Sequence, residues 1–470
     1  MASAPPSAAP PSAAGASPAP PTAVIARTLV GLAWPIVLQR ASQAVIGFCD
    51  ALMVAPLGES ALAAVTTGSL NVLLLIILPT GTVFILQSFT SQLRGRGDIG
   101  AVRRYAWYGL AVSALAGLLA LAALPLLPIV LGRFGYDPEV RLQLEAYLAI
   151  RFLSVGPAVA IEALGNWFGG LGKTRPSMVA GITAMAANVA GNYVLIEPHF
   201  GLPGYGVRGA AWASTLATLA GLAVIALPFA REATVGGSRR LSGRELGRVL
   251  RFGLPNGINW FLEFAAFVLF INAMVTHLGT TTLAAFNVAL QLNSVAFMPA
   301  FGLASAGAIL VGEAIGRRAP AEVWRYVRLT LATAALWMVS VGAFYFMWPG
   351  PLLELFAQPG SNRAEFLRLG ALMLAFSAFW QLFDAAGITF SEALRAAGDT
   401  TWCMGLRIVL AWFLFLPGAW YFVVVRQGGV PAVMSMLVAY ILLLAGGFAL
   451  RFWSGKWRSI ELIGTPEPVA

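Results

Sequence analysis

Leu57-Gly58-Glu59-Ser60-Ala61-Leu62-Ala63-Ala64 is echoed 221 residues later by Leu278-Gly279-Thr280-Thr281-Thr282-Leu283-Ala284-Ala285. Two further echoes keep nearly the same offset. Val102-Arg103-Arg104-Tyr105 returns as Val323-Trp324-Arg325-Tyr326, again at 221, and Gly172-Lys173-Thr174 with Met178 returns as Gly398-Asp399-Thr400 with Met404, at 226. A near-constant offset implies two structural halves, each of about 220 residues.

The halves lie in a chain of 470 residues that is 59% hydrophobic and 11% charged. Soluble domains carry roughly 25% charged residues, so this chain belongs in lipid. Repeated halves in so apolar a sequence are the mark of a secondary transporter with its substrate cleft between them. The net charge of +10 does not point to nucleic acid, because the arginines cluster between apolar runs rather than along one amphipathic face. Cys49 and Cys403 sit in or beside apolar runs without metal-like neighbours, so buried, unpaired thiols are expected.

A span needs ~20 mostly apolar residues, and twelve such stretches are predicted, from 28–55 at the start to 430–452 at the end. The fold class is therefore an all-α integral membrane protein. Arginine and lysine crowd the connections on one side, at Arg94, Arg96, Arg103, Arg104, Lys173, Arg175, Arg317, Arg318, Arg325 and Arg328. That asymmetry places both termini in the cytoplasm. Six spans per half make the repeats parallel, giving two six-helix lobes related by a pseudo-two-fold axis along the membrane normal. The expected organisation is a disordered cytoplasmic tail over 1–26, an N-terminal lobe over 27–230 and a cytoplasmic linker over 231–248. A C-terminal lobe over 249–453 and a cytoplasmic tail over 454–470 complete it.

Ionisable residues at membrane depth cost ~2.5–3.5 kcal/mol each on insertion scales and need a reason to be there. The candidates are Arg40, Asp50, Arg151, Glu162, Glu263, Asp384 and Arg407; Glu313, Glu392 and Arg395 lie near span ends, where they can snorkel to the interface. Glu263 lies ~21 Å into its span and Asp384 ~17 Å, at 1.5 Å per residue. Two carboxylates at similar depth in one half can share a proton or cation, or can be separate hydrogen-bonded structural acids. Asp50 follows Pro35 by 15 residues in a run that stays apolar to Leu57. Asn188 and Asn192, four apart, share one helix face; they serve either as glue between helices or as neutral oxygens around a cation that Asp50 balances. At an offset of 221, Asp50 maps to Ile271 and Glu263 to Ser42. The scaffold repeats and the charges do not.

These residues together resemble the multidrug and toxin extrusion (MATE) family, in its NorM-like branch. The likeness runs from Leu32 to Arg458. It rests on Ala33-Trp34-Pro35 leading to Asp50, on Leu171 through Pro176 followed by Asn188 and Asn192, and on Gly253-Leu254-Pro255 with Glu263. Val311 through Gly316, then Asp384, Leu394-Arg395 and Gly398-Asp399-Thr400 complete the set. The resemblance implies export of amphipathic, often cationic organic compounds in exchange for H⁺ or Na⁺, by alternating access, in a bacterial inner membrane. It implies coupling-ion residues Asp50, Asn188, Asn192, Glu263 and Asp384, and substrate contacts at Asp50, Glu263 and Asp384. Trp380, one turn before Asp384, is expected to face the same cavity and offer a cation–π surface. No cofactor is implied, no metal beyond Na⁺ at the coupling residues, no nucleic acid, and a monomer. Arg40 departs from the family pattern and is expected to pair with Asp50 or with Glu162. A flippase for lipid-linked sugars would want a more basic cavity. An integral membrane enzyme would want clustered acids or histidines, and the only histidines are His199 and His277.

Overall fold

The computed structural model describes residues 21–199, 201, 203–233, 241–357 and 362–464. Twelve helices in it are long and apolar enough to cross a membrane. The first six are α1 (Thr22–Leu57), α2 (Glu59–Arg96), α3 (Ile99–Leu131), α4 (Pro138–Gly170), α5 (Arg175–Leu195) and α6 (Gly206–Glu232). The second six are α7 (Gly243–Leu278), α8 (Thr280–Gly316), α9 (Pro320–Met347), α10 (Arg363–Ala397), α11 (Thr400–Val425) and α12 (Gly429–Trp453). No strand occurs among the described residues. The chain is a multi-pass, all-helical membrane protein.

The repeated motifs have local causes. Gly58 and Gly279, the glycines of the two Leu-Gly pairs, join α1 to α2 and α7 to α8 with φ of +108° and +92°. Side chains other than hydrogen are strained there, so both turns require glycine. Val102 and Tyr105, like Val323 and Tyr326, are buried at the starts of α3 and α9. The prolines repeat as well: Pro35 and Pro255 lie inside α1 and α7, Pro79 and Pro299 inside α2 and α8. Each removes one helical hydrogen bond and permits a bend in the four helices that meet between the lobes.

Equivalent helices also cross between the lobes in a reciprocal way. Ile25, at the start of α1, is buried with Val311, Val323 and Phe448 of the C-terminal lobe. Val249, near the start of α7, is buried with Phe89, Tyr105 and Trp167 of the N-terminal lobe. Beside it Glu245 accepts hydrogen bonds from Arg104 at 2.8 and 2.9 Å and from Tyr108 at 2.7 Å. Such mutual exchange is what a two-fold relation between the halves requires.

The lobes meet along a seam at the arginine-rich end. Gln87 Nε2 donates to the Ser305 carbonyl at 2.9 Å, Gln92 Nε2 to the Ala396 carbonyl at 2.7 Å, and Asn256 Nδ2 to the Gly81 carbonyl at 2.7 Å. Among the described residues no hydrogen bond joins the far halves of α1 and α2 to those of α7 and α8, where Leu70, Leu74, Val268 and Val295 are exposed. The seam is tight enough to exclude a methyl group: a Cβ on Gly316 would stand 2.0 Å from the Gln92 carbonyl oxygen. Overpacking of this kind costs about 1–3 kcal/mol. Gly316→Ala is expected to lower the melting temperature of the detergent-purified protein by several degrees. Gly405→Ala, where a Cβ meets nothing within 4 Å inside a helix, is the matched control and is expected to leave it unchanged or slightly raised, since Ala favours the helix over Gly.

Three expected boundaries shift. Helix α1 already begins at Thr22, inside the stretch 1–26 expected to be a tail, because Ile25 is buried against the C-terminal lobe; residues 1–20 lie outside the described residues. The linker expected over 231–248 is shortened from both sides by α6 and α7, and Gly236 through Arg240 lie outside the described residues. The tail expected from 454 is docked as far as Gly464. Trp457 stacks on Phe452, Leu462 is buried in the N-terminal lobe, and the carbonyls of Ile463 and Gly464 accept from Arg248 and Arg96 at 3.2 and 2.7 Å. Apolar side chains at Trp457 and Leu462 tie this segment across both lobes.

Candidate functional site

In the N-terminal lobe α1 supplies Asp50, α5 supplies Asn188 and Asn192 from successive turns, and α6 supplies Ser214. Asp50 Oδ1 accepts from Asn188 Nδ2 at 2.9 Å and from Asn192 Nδ2 at 2.6 Å, while Oδ2 accepts from Ser214 Oγ at 3.0 Å. The asparagines are 0% exposed and Asp50 6%. No ion pair to Asp50 occurs among the described residues, and its three hydrogen-bond partners are neutral groups. Asn192 Oδ1 is buried without a hydrogen-bond partner. A buried carboxylate with neutral partners is a group able to take up a proton or a small hard cation. The structure thus brings together the three N-lobe residues expected from sequence and adds Ser214, an unremarkable serine in a helix of small residues.

Arg40 is taken by Glu162. Its Nη1 and Nη2 donate to the two carboxylate oxygens at 3.2 and 3.1 Å, and Gln43 Nε2 donates to the same carboxylate at 3.0 Å. Of the two acids open to Arg40, Asp50 is therefore not its partner. Breaking a buried pair strands a charge, at a cost on the order of 3 kcal/mol, whereas removing both partners is often nearly neutral. Glu162→Gln is expected to lower thermal stability clearly, and Arg40→Met combined with Glu162→Met to restore most of the loss, as read in a melting double-mutant cycle.

In the C-terminal lobe Glu263 on α7 is not free to share its charge with Asp384 alone. Arg407 on α11 donates from Nη1 to Glu263 Oε2. The charges acting on Asp384 are those of Glu263 and Arg407, and Tyr440 of α12 lies within the field of the same pair. Among the described residues none hydrogen-bonds the Asp384 carboxylate. The expected acid pair is thus an ion pair of Glu263 with Arg407, with Asp384 near enough to feel both charges but bonded to neither. Arg407 counted among the buried charges in the sequence, but its partner lies 144 positions away and nothing local indicates the pairing.

Two other expectations are corrected. Trp380 is 6% exposed and packed in the C-lobe core rather than facing a cleft, since its position on α10 falls on the face packed inside the lobe. Glu392 and Arg395 do not snorkel to the interface. Both are buried in the seam, where Arg395 donates to Glu392, to Ser88 Oγ at 3.1 Å, to the Phe84 carbonyl at 3.3 Å and to Gln87 Oε1 at 3.3 Å.

Comparison with known proteins agrees with this architecture. The "Multidrug resistance protein PmpM" of Pseudomonas aeruginosa is 29% identical over 403 residues, covering 83% of this chain and 82% of its own length. A "Probable multidrug resistance protein NorM" of Xanthomonas campestris pv. campestris is 30% identical over 407 residues, covering 83% and 86%. The solved structure described as "Crystal structure of MATE in complex with MaL6" superposes with a TM-score of 0.84 at 21% identity, covering 93% of this chain and 98% of that one. At that identity the likeness establishes the fold. The MatE family profile matches residues 35–194 and 257–421, most of both lobes, and the chain belongs to the MatE family.

Proposed function

We propose that this protein exports amphipathic, often cationic organic compounds by exchanging them for H⁺ or Na⁺. The observation that carries the proposal is Asp50, a buried carboxylate held by three neutral donors with an unpaired carbonyl oxygen beside it. A charge so placed in a membrane protein is expensive unless it is used. The names of the relatives, multidrug resistance proteins, supply the class of cargo. The excess of arginine at the seam end orients that end to the cytoplasm of a bacterial inner membrane, so the seam closes the inner side and the lobes part toward the outside. The coupling ion enters from outside and neutralises Asp50 and the acids of the other lobe. The lobes then rock so that the seam opens inward, and the organic cation displaces the ion there. Because ion and cargo draw on the same carboxylates, each weakens the hold on the other, and that reciprocal coupling drives exchange.

The test is ethidium efflux from cells expressing single variants. Glu263→Gln and Asp384→Asn are each expected to bring efflux to the vector background while membrane abundance stays at the wild-type level. Normal efflux by both variants removes the C-lobe acids from the mechanism.

A further inference from the structure

Arg407 stands in an unusual place. Its guanidinium contacts Glu263, lies 5.4 Å from the Phe448 ring and leaves Nε buried without a partner. Helix α11 is also the least regular of the twelve. Directly after Arg407 it widens into a π-helix over Val409–Phe415, returns to α over Leu416–Trp420, and widens again over Tyr421–Val425. π-Helical turns collect at functional sites, since the altered hydrogen-bond register lets a segment turn without unfolding. The group holds two carboxylates and one guanidinium. Arginine stays protonated in proteins, so with both acids ionised the group carries one net negative charge.

We propose that Arg407 is a tethered cation that sets the charge of the cargo: it occupies part of the C-lobe acid group and leaves room for one positive charge, so that monocations are preferred over dications. The inference rests on the reading of these acids as part of an export site for organic cations. A monocation brings the group to neutrality, with Asp384 as its first contact because that carboxylate is free of hydrogen bonds among the described residues. A dication would leave an unbalanced positive charge beside Arg407, whose own charge already meets Glu263. The Phe448 ring offers the guanidinium a second resting place when cargo approaches Glu263.

The test is a charge series read as a ratio of affinities. Purified full-length protein in nanodiscs is titrated with tetraphenylphosphonium, which carries one charge, and with methyl viologen, which carries two. Wild type is expected to bind the monocation more tightly. In Arg407→Gln the net charge becomes two negative, and the ratio of dication to monocation affinity is expected to rise by about tenfold or more. Arg407→Lys keeps the charge and should keep the wild-type ratio. Glu263→Gln combined with Arg407→Gln restores one net negative charge without leaving either partner's charge unpaired, and its ratio should return to the wild-type value even where Arg407→Gln alone folds poorly. An unchanged ratio in Arg407→Gln, or a double variant that behaves as a dication binder, overturns the assignment. Monocation binding that needs Glu263 and Asp384 but ignores Arg407 sinks this inference alone. Binding insensitive to all three residues, or no binding by wild type, sinks the export site and the inference with it.

Discussion

Asp50→Asn is expected to abolish export while leaving a protein at least as stable as wild type. The substitution keeps the size of the side chain and removes the charge. In the native cluster one carboxylate accepts from Asn188, Asn192 and Ser214. An amide at position 50 keeps one oxygen to accept from Asn188 and Asn192, and its NH₂ group takes the place of the oxygen that accepts from Ser214 Oγ, a hydroxyl able to accept in turn, so much of the hydrogen bonding is recovered. The desolvation penalty of a buried charge disappears with it. What is lost is the only group in the cluster that changes charge when it takes a proton or a cation. Efflux of ethidium should fall to background, and any dependence of melting temperature on added NaCl against KCl that arises at this site should vanish. A variant that transports normally shows that the buried acid is structural. Ser214→Ala, which removes one donor, is expected to weaken export without abolishing it.

Arg395→Ala is expected to have the largest conformational effect of any single substitution in the seam. Arg395 is 4% exposed and joins α10 to α2 through Ser88, Gln87 and the Phe84 carbonyl, with its guanidinium 4.2 Å from the Phe84 ring. Hydrogen bonds to a charged group contribute about 1.5–3 kcal/mol each. Their loss also strands Glu392, whose carboxylate is buried beside it. Both effects penalise the conformation in which the lobes touch at this end, so the population moves toward one in which they part. A cysteine placed at Ser91, fully buried against Gly312, reports this after Cys49 and Cys403 are replaced. Its labelling by a membrane-impermeant maleimide applied from the cytoplasmic side should be at least tenfold faster in the Arg395→Ala background. Equal rates in the two backgrounds would mean that Arg395 does not hold the seam.

The sequence carried the architecture plainly because the architecture repeats. Leu-Gly at positions 57–58 and 278–279 marks two turns that need a positive φ, and the Val…Tyr spacing marks two buried helix starts. Twelve apolar runs followed from the length that lipid demands, and all twelve are helices. The N-lobe cluster was legible because Asn188 and Asn192 share a helix face and Asp50 is an acid where acids are expensive. Ser214 was not, since a serine among alanines in an apolar helix carries no signal of its own. Long-range pairings were hidden for the same reason. Arg40 with Glu162 and Arg407 with Glu263 join helices far apart in the chain, and only packing decides which acid each arginine meets. Trp380 shows the limit of counting turns along one helix: lying four residues before Asp384, it nevertheless belongs to the core. The docking of Trp457 and Leu462 was masked by the short, mixed sequence around them, which has too few apolar residues to read as an element.

Ethidium movement in sealed proteoliposomes, with a pH gradient and a Na⁺ gradient imposed separately, addresses exchange itself. For wild type, one of the two gradients is expected to drive ethidium against its own concentration difference, and the driven component should disappear in Asp50→Asn and in Glu263→Gln with Asp384→Asn. Ethidium flux that is the same with and without either gradient, or that survives in those variants, would contradict ion-coupled export by these carboxylates.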